Sequence, residues 1–166
     1  MNKISTMFLS MLLVLISVST MYADFNPPKT KSADGKGWEE YAESFVINKE
    51  NAGEYLNLSL THPESPIVMF YASKIVGDKS YEKALASENY LSKREKRKLK
   101  HKFEKMSKWQ FLEMKLVKRK KTGDSGNRYW IKIYMKIMIK GREDSGTDEA
   151  EVGFFDGKWY LVMPPT

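Results

Sequence analysis

Every second residue from Tyr129 to Ile139 is apolar in the stretch 128–140, RYWIKIYMKIMIK, the clearest period-two run in the chain. Tyr129, Ile131, Ile133, Met135, Ile137 and Ile139 fall on one face; Trp130, Lys132, Tyr134, Lys136, Met138 and Lys140 fall on the other. Successive side chains of a strand point to opposite faces, so the run predicts a strand with one fully apolar face and one mixed face. At ~3.4 Å per residue it spans about 40 Å, roughly twice a usual strand. Accumulated twist then predicts a central strand in an antiparallel sheet that curls over something.

Upstream the period changes. Residues 38–48 are apolar at Trp38, Tyr41, Ala42, Phe45 and Val46, helical spacing that predicts a short amphipathic helix. Residues 55–60, YLNLSL, alternate and predict a short strand or extended arm with a leucine face. The clearest helix opens at Ser65-Pro66, carries Ile67, Val68, Phe70, Tyr71, Ile75 and Val76 as a broad stripe, and ends at Gly77. A second short helix holds Tyr81, Ala84 and Leu85. A third begins at Ser92-Lys93-Arg94-Glu95, a capping-box spelling, with Leu99, Phe103 and Met106 as a narrow stripe.

After Trp109 the period is two. Leu112, Met114 and Leu116 share one parity while Trp109, Phe111 and Val117 take the other, which a bulge near Glu113 or a helix running on to Gln110 reconciles. Residues 121–127 and 141–148 read as polar loops. Two last strands, 149–155 and 158–163, meet at Asp156-Gly157, a hairpin signal that pairs Phe155 with Lys158, Phe154 with Trp159, Val152 with Leu161 and Ala150 with Met163. That register puts the apolar residues of both strands on one face.

Composition and charge add boundaries. Lys3, the apolar stretch 7–18 and Met21-Tyr22-Ala23 make residues 1–23 read as a secretory signal, since the apolar run is shorter than the ~20 residues a spanning helix needs. Export to the periplasm or beyond a bacterial cell, soluble after cleavage, is the expectation. Residues 24–37 read as a flexible leader and 38–61 as an amino-terminal extension packing on the domain that follows. An apolar content of 42% and an aromatic content of 13% exclude wholesale disorder. The chain has no cysteine, which excludes disulfides, thiolate metal sites and cysteine nucleophiles. A formal charge of +7 permits association with anionic surfaces.

The order helix, Gly-Asp, short helix, third helix, long antiparallel strands and closing hairpin resembles the nuclear transport factor 2-like, or cystatin-like, superfamily. The residues that carry the resemblance are Ser65-Pro66, Phe70-Tyr71-Ala72, Gly77-Asp78, and Asp156-Gly157-Lys158-Trp159 leading to Leu161. The resemblance implies a domain over residues 62–166 of α+β class: a strongly bent antiparallel sheet wrapped around amino-terminal helices as a cone, with a pocket at its open end. Such a fold hosts many functions, so function rests on the site.

Isomerase-like and dehydratase-like members of that superfamily move protons with an aspartate or histidine and tyrosine partners inside the cone. Here Ile131 to Ile139 of the central strand and the final hairpin offer no titratable group on their inner face, and only Tyr71 on the first helix and Tyr129 at the strand's start offer a polar tip. Tyr71, Ile133, Met135, Phe154 and Trp159 are the candidate pocket lining for a small apolar ligand. His62 and His101 lack carboxylate partners at metal-ligand spacing, and Asp78 reads as a helix cap. No metal or cofactor is implied. The expectation is a non-enzymatic binding or interaction module, with a proton-transfer enzyme as the alternative. Lys93, Arg94, Lys96, Arg97 and Lys100 on the basic helix 93–108 are the candidate contact for an anionic envelope surface. Nucleic acid is not expected, because no aromatic platform is interleaved with the charges. Trp130, Tyr134, Met138 and Tyr160 on the outer sheet face are the candidate homodimer interface, unless residues 38–60 cover them.

Overall fold

The computed structural model describes residues 25–42, 45–122 and 126–164. Among them are the strands β1 (Lys29–Lys31), β2 (Trp38–Tyr41), β3 (Val46–Asn48), β4 (Trp109–Thr122), β5 (Arg128–Ile139), β6 (Arg142–Phe155) and β7 (Lys158–Met163). They form one antiparallel sheet in the order β1-β2-β4-β5-β6-β7, with β3 also paired to β4. Three helices accompany it: α1 (Ser65–Val76), α2 (Tyr81–Ala84) and α3 (Lys93–Met106). The secretory-signal reading falls on residues 1–23, outside the described residues.

The alternation of β5 does what it predicts. Ile131 and Ile133 have no exposed surface and Met135 and Ile137 almost none, while every second residue between them reaches solvent. Helix α1 lies against this inner face, with Ile67, Val68, Phe70 and Tyr71 fully buried. Glu64 rather than Ser65 takes its amino-terminal cap position, Pro66 sits in the first turn, and Gly77 closes it at φ 80°, its N–H donating to Ser73 O at 2.9 Å. Helix α3 carries the full capping box of Ser92 and Glu95, yet only Met106 is buried. Leu99 packs on a small cluster of Ala86, Leu91 and Val162, and Phe103 on the ring of Phe70 at 6.0 Å.

Four expectations are corrected, and together they change the fold class. Residues 38–48 are not a helix but supply β2 and β3, because the long β4 leaves an edge whose backbone groups they satisfy. β1 lies within the stretch read as a leader. Residues 142–148 are not a loop. Lys140 and Gly141, at φ 51° and 75°, make a two-residue turn of the kind that joins twisted strands, and β6 starts at once. The stretch 55–60 is a helical turn ending in a single bridge at Leu58, not a strand.

The described residues are therefore sheet-dominated: seven antiparallel strands with three short helices among them, one four residues long. They do not form an α+β cone wrapped around amino-terminal helices, because α1 alone lies deep against the sheet and α3 rides at the surface. The hairpin register also shifts by one at its far end. A bulge between Glu151 and Val152 pairs Met163 with Glu151 instead of Ala150.

Candidate ligand-binding site

Two bulges decide what faces the concave side. β4 skips one residue between Phe111 and Glu113 and another between Leu116 and Lys118. Its inward side chains are consequently Trp109 and Phe111, then Met114 and Leu116, then Arg119 and Lys121, paired in turn with inward residues of β5 from Ile139 to Tyr129. This resolves the mixed parity of the sequence around Glu113 and turns an arginine inward among lysines that point out.

Arg119 meets a buried acid. Glu64, with no exposed surface, accepts on Oε1 from Arg119 Nη1 at 2.9 Å and from the Tyr41 hydroxyl at 3.1 Å, with Lys29 Nζ at 3.3 Å. Arg119 Nε also donates to Glu39 Oε2 at 2.6 Å, and the guanidinium lies 4.8 Å from the Tyr129 ring centre. Register builds this cluster: Glu39 sits opposite Arg119 across β2 and β4, so both share the concave face with Tyr41 and Tyr129. Burial would lower the Arg119 pKa, but Glu64 and Glu39 raise it above the ordinary value. Burial, then the Glu64 charge, pushes the Tyr41 phenol well up, so it donates. Glu64 Oε2 and Ser65 Oγ have no hydrogen-bond partner among the described residues.

The concave face carries titratable groups beyond the aliphatic run of β5: Tyr129 at its start, Glu39 and Tyr41 on β2, and Arg119 on β4. The sequence reading overlooked Glu64 and Arg119, since neither lies on the strands it considered. Yet a proton-transferring base needs a lone pair within reach of a substrate. Glu64 Oε1 is held by two cations and a phenol, and Glu64 does not line the cleft of about 400 Å³ beside it, formed by Lys31, Trp38, Glu39, Lys121 and Tyr129. The cluster ties the start of α1 to β1, β2 and β4.

The other end of the concave face is open. Trp109, Met135, Ile137 and Ile139 floor a cleft of about 280 Å³, rimmed by Lys105 and by residues 144–148 of β6. Lys105 Nζ sits 5.5 Å from the Trp109 ring centre. Beneath it, the Tyr71 hydroxyl points at Met135 Sδ at 3.9 Å, and burial, with Asp148 adding to it, raises that phenol well above its usual value. Tyr71 is thus a neutral donor at neutral pH.

The candidate pocket residues divide between the two ends. Tyr71 and Ile133 are core, and Met135 reaches the open cleft. Phe154 and Trp159 pack with their rings tilted by 52° at 5.2 Å, far along the sheet, where Trp159 meets Tyr129 at 5.5 Å. Of the outer-face residues, Trp130 is 44% exposed and Tyr134 and Met138 are half-buried, while Tyr160 sits apart beside Tyr90 and Val162. β2 and β3 extend the sheet sideways and do not lie over them. Lys93, Arg94, Lys96, Arg97 and Lys100 are all exposed on α3. Asp78 accepts from the Ser80 N–H, a turn role, and no metal-holding group of histidines and acids occurs among the described residues. Trp109 went unselected because its parity differs from that of Met114.

No protein-family model matches the chain, and no curated protein does. A solved structure that matches is that of RPA3114, a SEC-C motif containing protein from Rhodopseudomonas palustris. It is 18% identical with a TM-score of 0.48, over 71% of this chain and 89% of that one. The resemblance to the nuclear transport factor 2-like, cystatin-like superfamily is corrected on the architecture: the sheet-dominated arrangement of the described residues is not the cone it implies.

Proposed function

We propose that this protein is an exported, non-enzymatic binding module that takes a small apolar ligand in the open cleft of its concave face. The observation that carries the reading is the floor of Trp109, Met135, Ile137 and Ile139 with one cationic and one acidic rim. A mostly apolar concavity with a few polar groups at its mouth is the usual make-up of a small-molecule site, and about 280 Å³ suits a ligand of one or two rings. Glu64 has no exposed surface and three partners on Oε1, which favours binding over proton transfer by that acid. Export rests on the pattern of residues 1–23.

The test uses N-phenyl-1-naphthylamine, an uncharged fluorescent probe that brightens in apolar sites. Saturable one-to-one binding is expected, weakened at least about tenfold by Ile139→Lys, which sets a charge on the cleft floor. Binding that does not saturate, or that Ile139→Lys leaves unchanged, overturns the assignment. Mass spectrometry of the protein recovered from a secreting host reads the export proposal directly: loss of about 23 residues is expected.

A further inference from the structure

Helix α3 holds eight basic and two acidic residues in fourteen positions, KREKRKLKHKFEKM. Like charges recur four apart, at Lys93 and Arg97, Arg94 and Lys98, Lys96 and Lys100, Lys98 and Lys102, and each such pair opposes the helix. The acids give little relief. Glu95 is turned inward, its Oε2 on the Ser92 N–H and its Oε1 on Arg128 Nη1 at 2.7 Å. Glu88 lies 3.8 Å from Lys96 in an exposed pair that contributes little. Lys93, Arg94, Arg97, Lys98 and Lys100 make no ion pair among the described residues.

The charges are not spread over a plain solvated rod. Along one side of α3 runs an open groove of about 590 Å³ whose floor is Leu91, Leu99 and Phe103. Lys93, Lys96, Arg97 and Lys100 stand along it, spaced by three, four and seven residues so that they share that side of the helix. Glu88 is the one acid on its border, so that four cations face one carboxylate. From Lys93 to Lys100 the rise is about 10 Å. Cations bordering an apolar strip match a phospholipid interface, where headgroups carry the charge and the first methylenes lie just below. A soluble polyanion satisfies only half of that pattern.

We propose that α3 docks this protein on an anionic lipid bilayer, with Lys93, Lys96, Arg97 and Lys100 on the headgroups and the Leu91, Leu99 and Phe103 groove against the upper acyl region. The surface is separate from the open concave cleft and does not depend on a ligand there.

Co-sedimentation with phosphatidylcholine vesicles, with and without phosphatidylglycerol, tests it on the full chain. Neutral vesicles measure whatever the apolar residues 7–18 contribute, which all variants share. Phosphatidylglycerol is expected to strengthen binding, and raising the salt to weaken it. Lys96→Glu/Arg97→Glu/Lys100→Glu should remove that gain, at least about a hundredfold, at ~1 kcal/mol for each cation near the surface. Lys31→Glu/Lys140→Glu/Lys158→Glu changes the net charge equally on exposed positions elsewhere and should keep most of it. Lys96→Gln/Arg97→Gln/Lys100→Gln serves if the reversal fails to fold by circular dichroism, and should still cost about a hundredfold. Equal loss in both triple variants, no preference for phosphatidylglycerol, or binding to heparin or RNA without binding to vesicles overturns the proposal.

Discussion

Glu64 is where one side chain decides most. An acid removed from water survives only with partners, and here Arg119, Lys29 and Tyr41 converge on a single oxygen. Arg119→Met should therefore destabilise the protein by about 3 kcal/mol in urea unfolding, since it strands a buried carboxylate and releases Glu39 as well. Tyr41→Phe, which removes one neutral donor and keeps both cations, should cost about 1 kcal/mol. Near-equal effects of the two variants would mean that water reaches Glu64 and that the pairing is incidental. None of this was legible beforehand. Arg119 stands in a run of basic residues, 118–121, and only the skipped Val117 turns it inward, while Glu64 belongs to a loop by every local signal.

At the scale of elements, what could be read was what local chemistry dictates. α1 was legible from Pro66 and Gly77, α3 from Ser92 and Glu95, and β5 from strict alternation, because each signal is complete within its own segment. β2, β3 and the first half of β6 were not. The first two form only because β4 offers them an edge, and residues 142–148 are polar on both faces, so nothing distinguishes them from a loop until they pair with β5.

The cap of α3 is also a tertiary tether, and it titrates. Burial alone would raise the Glu95 pKa, but Ser92 and Arg128 hold it down to about 2 from an ordinary 4.5. Since the folded value lies below the unfolded one, the stabilisation is fully present above pH 4.5 and is lost as pH falls toward about 2. Glu95→Gln should thus lower the melting temperature at neutral pH, and the gap from the parent protein should close across that acid window. A gap that stays constant down to pH 2 would assign the loss to packing rather than to charge.

For the whole molecule, the sheet sorts into a clamped centre and loosely held margins. The motif order that resembles a helix-filled cone was legible, but the proportion of sheet to helix was not, because three strands come from the segment before residue 62: β2 and β3 pair with β4 across more than sixty positions of sequence, and β1 pairs on β2. β5 is hydrogen-bonded along its length by β4 on one side and β6 on the other, over fully buried side chains. β1 has a single neighbour and three paired residues, and β7 pairs with β6 only from Glu151 onward. Amide exchange should follow that order: β5 exchanges only through global unfolding, while β1, β2 and residues 142–148 exchange through local opening. The margin at β1 and β2 is not idle, because Lys29, Glu39 and Tyr41 hold the Glu64–Arg119 pair from that side. Glu64→Gln should therefore speed exchange in β1 and β2 at least about tenfold while β5 slows or speeds only with global stability. Equal protection in β1 and β5, or a Glu64→Gln effect spread evenly over the sheet, would show that the amino-terminal strands fold as one unit with the centre and do not depend on the buried acid.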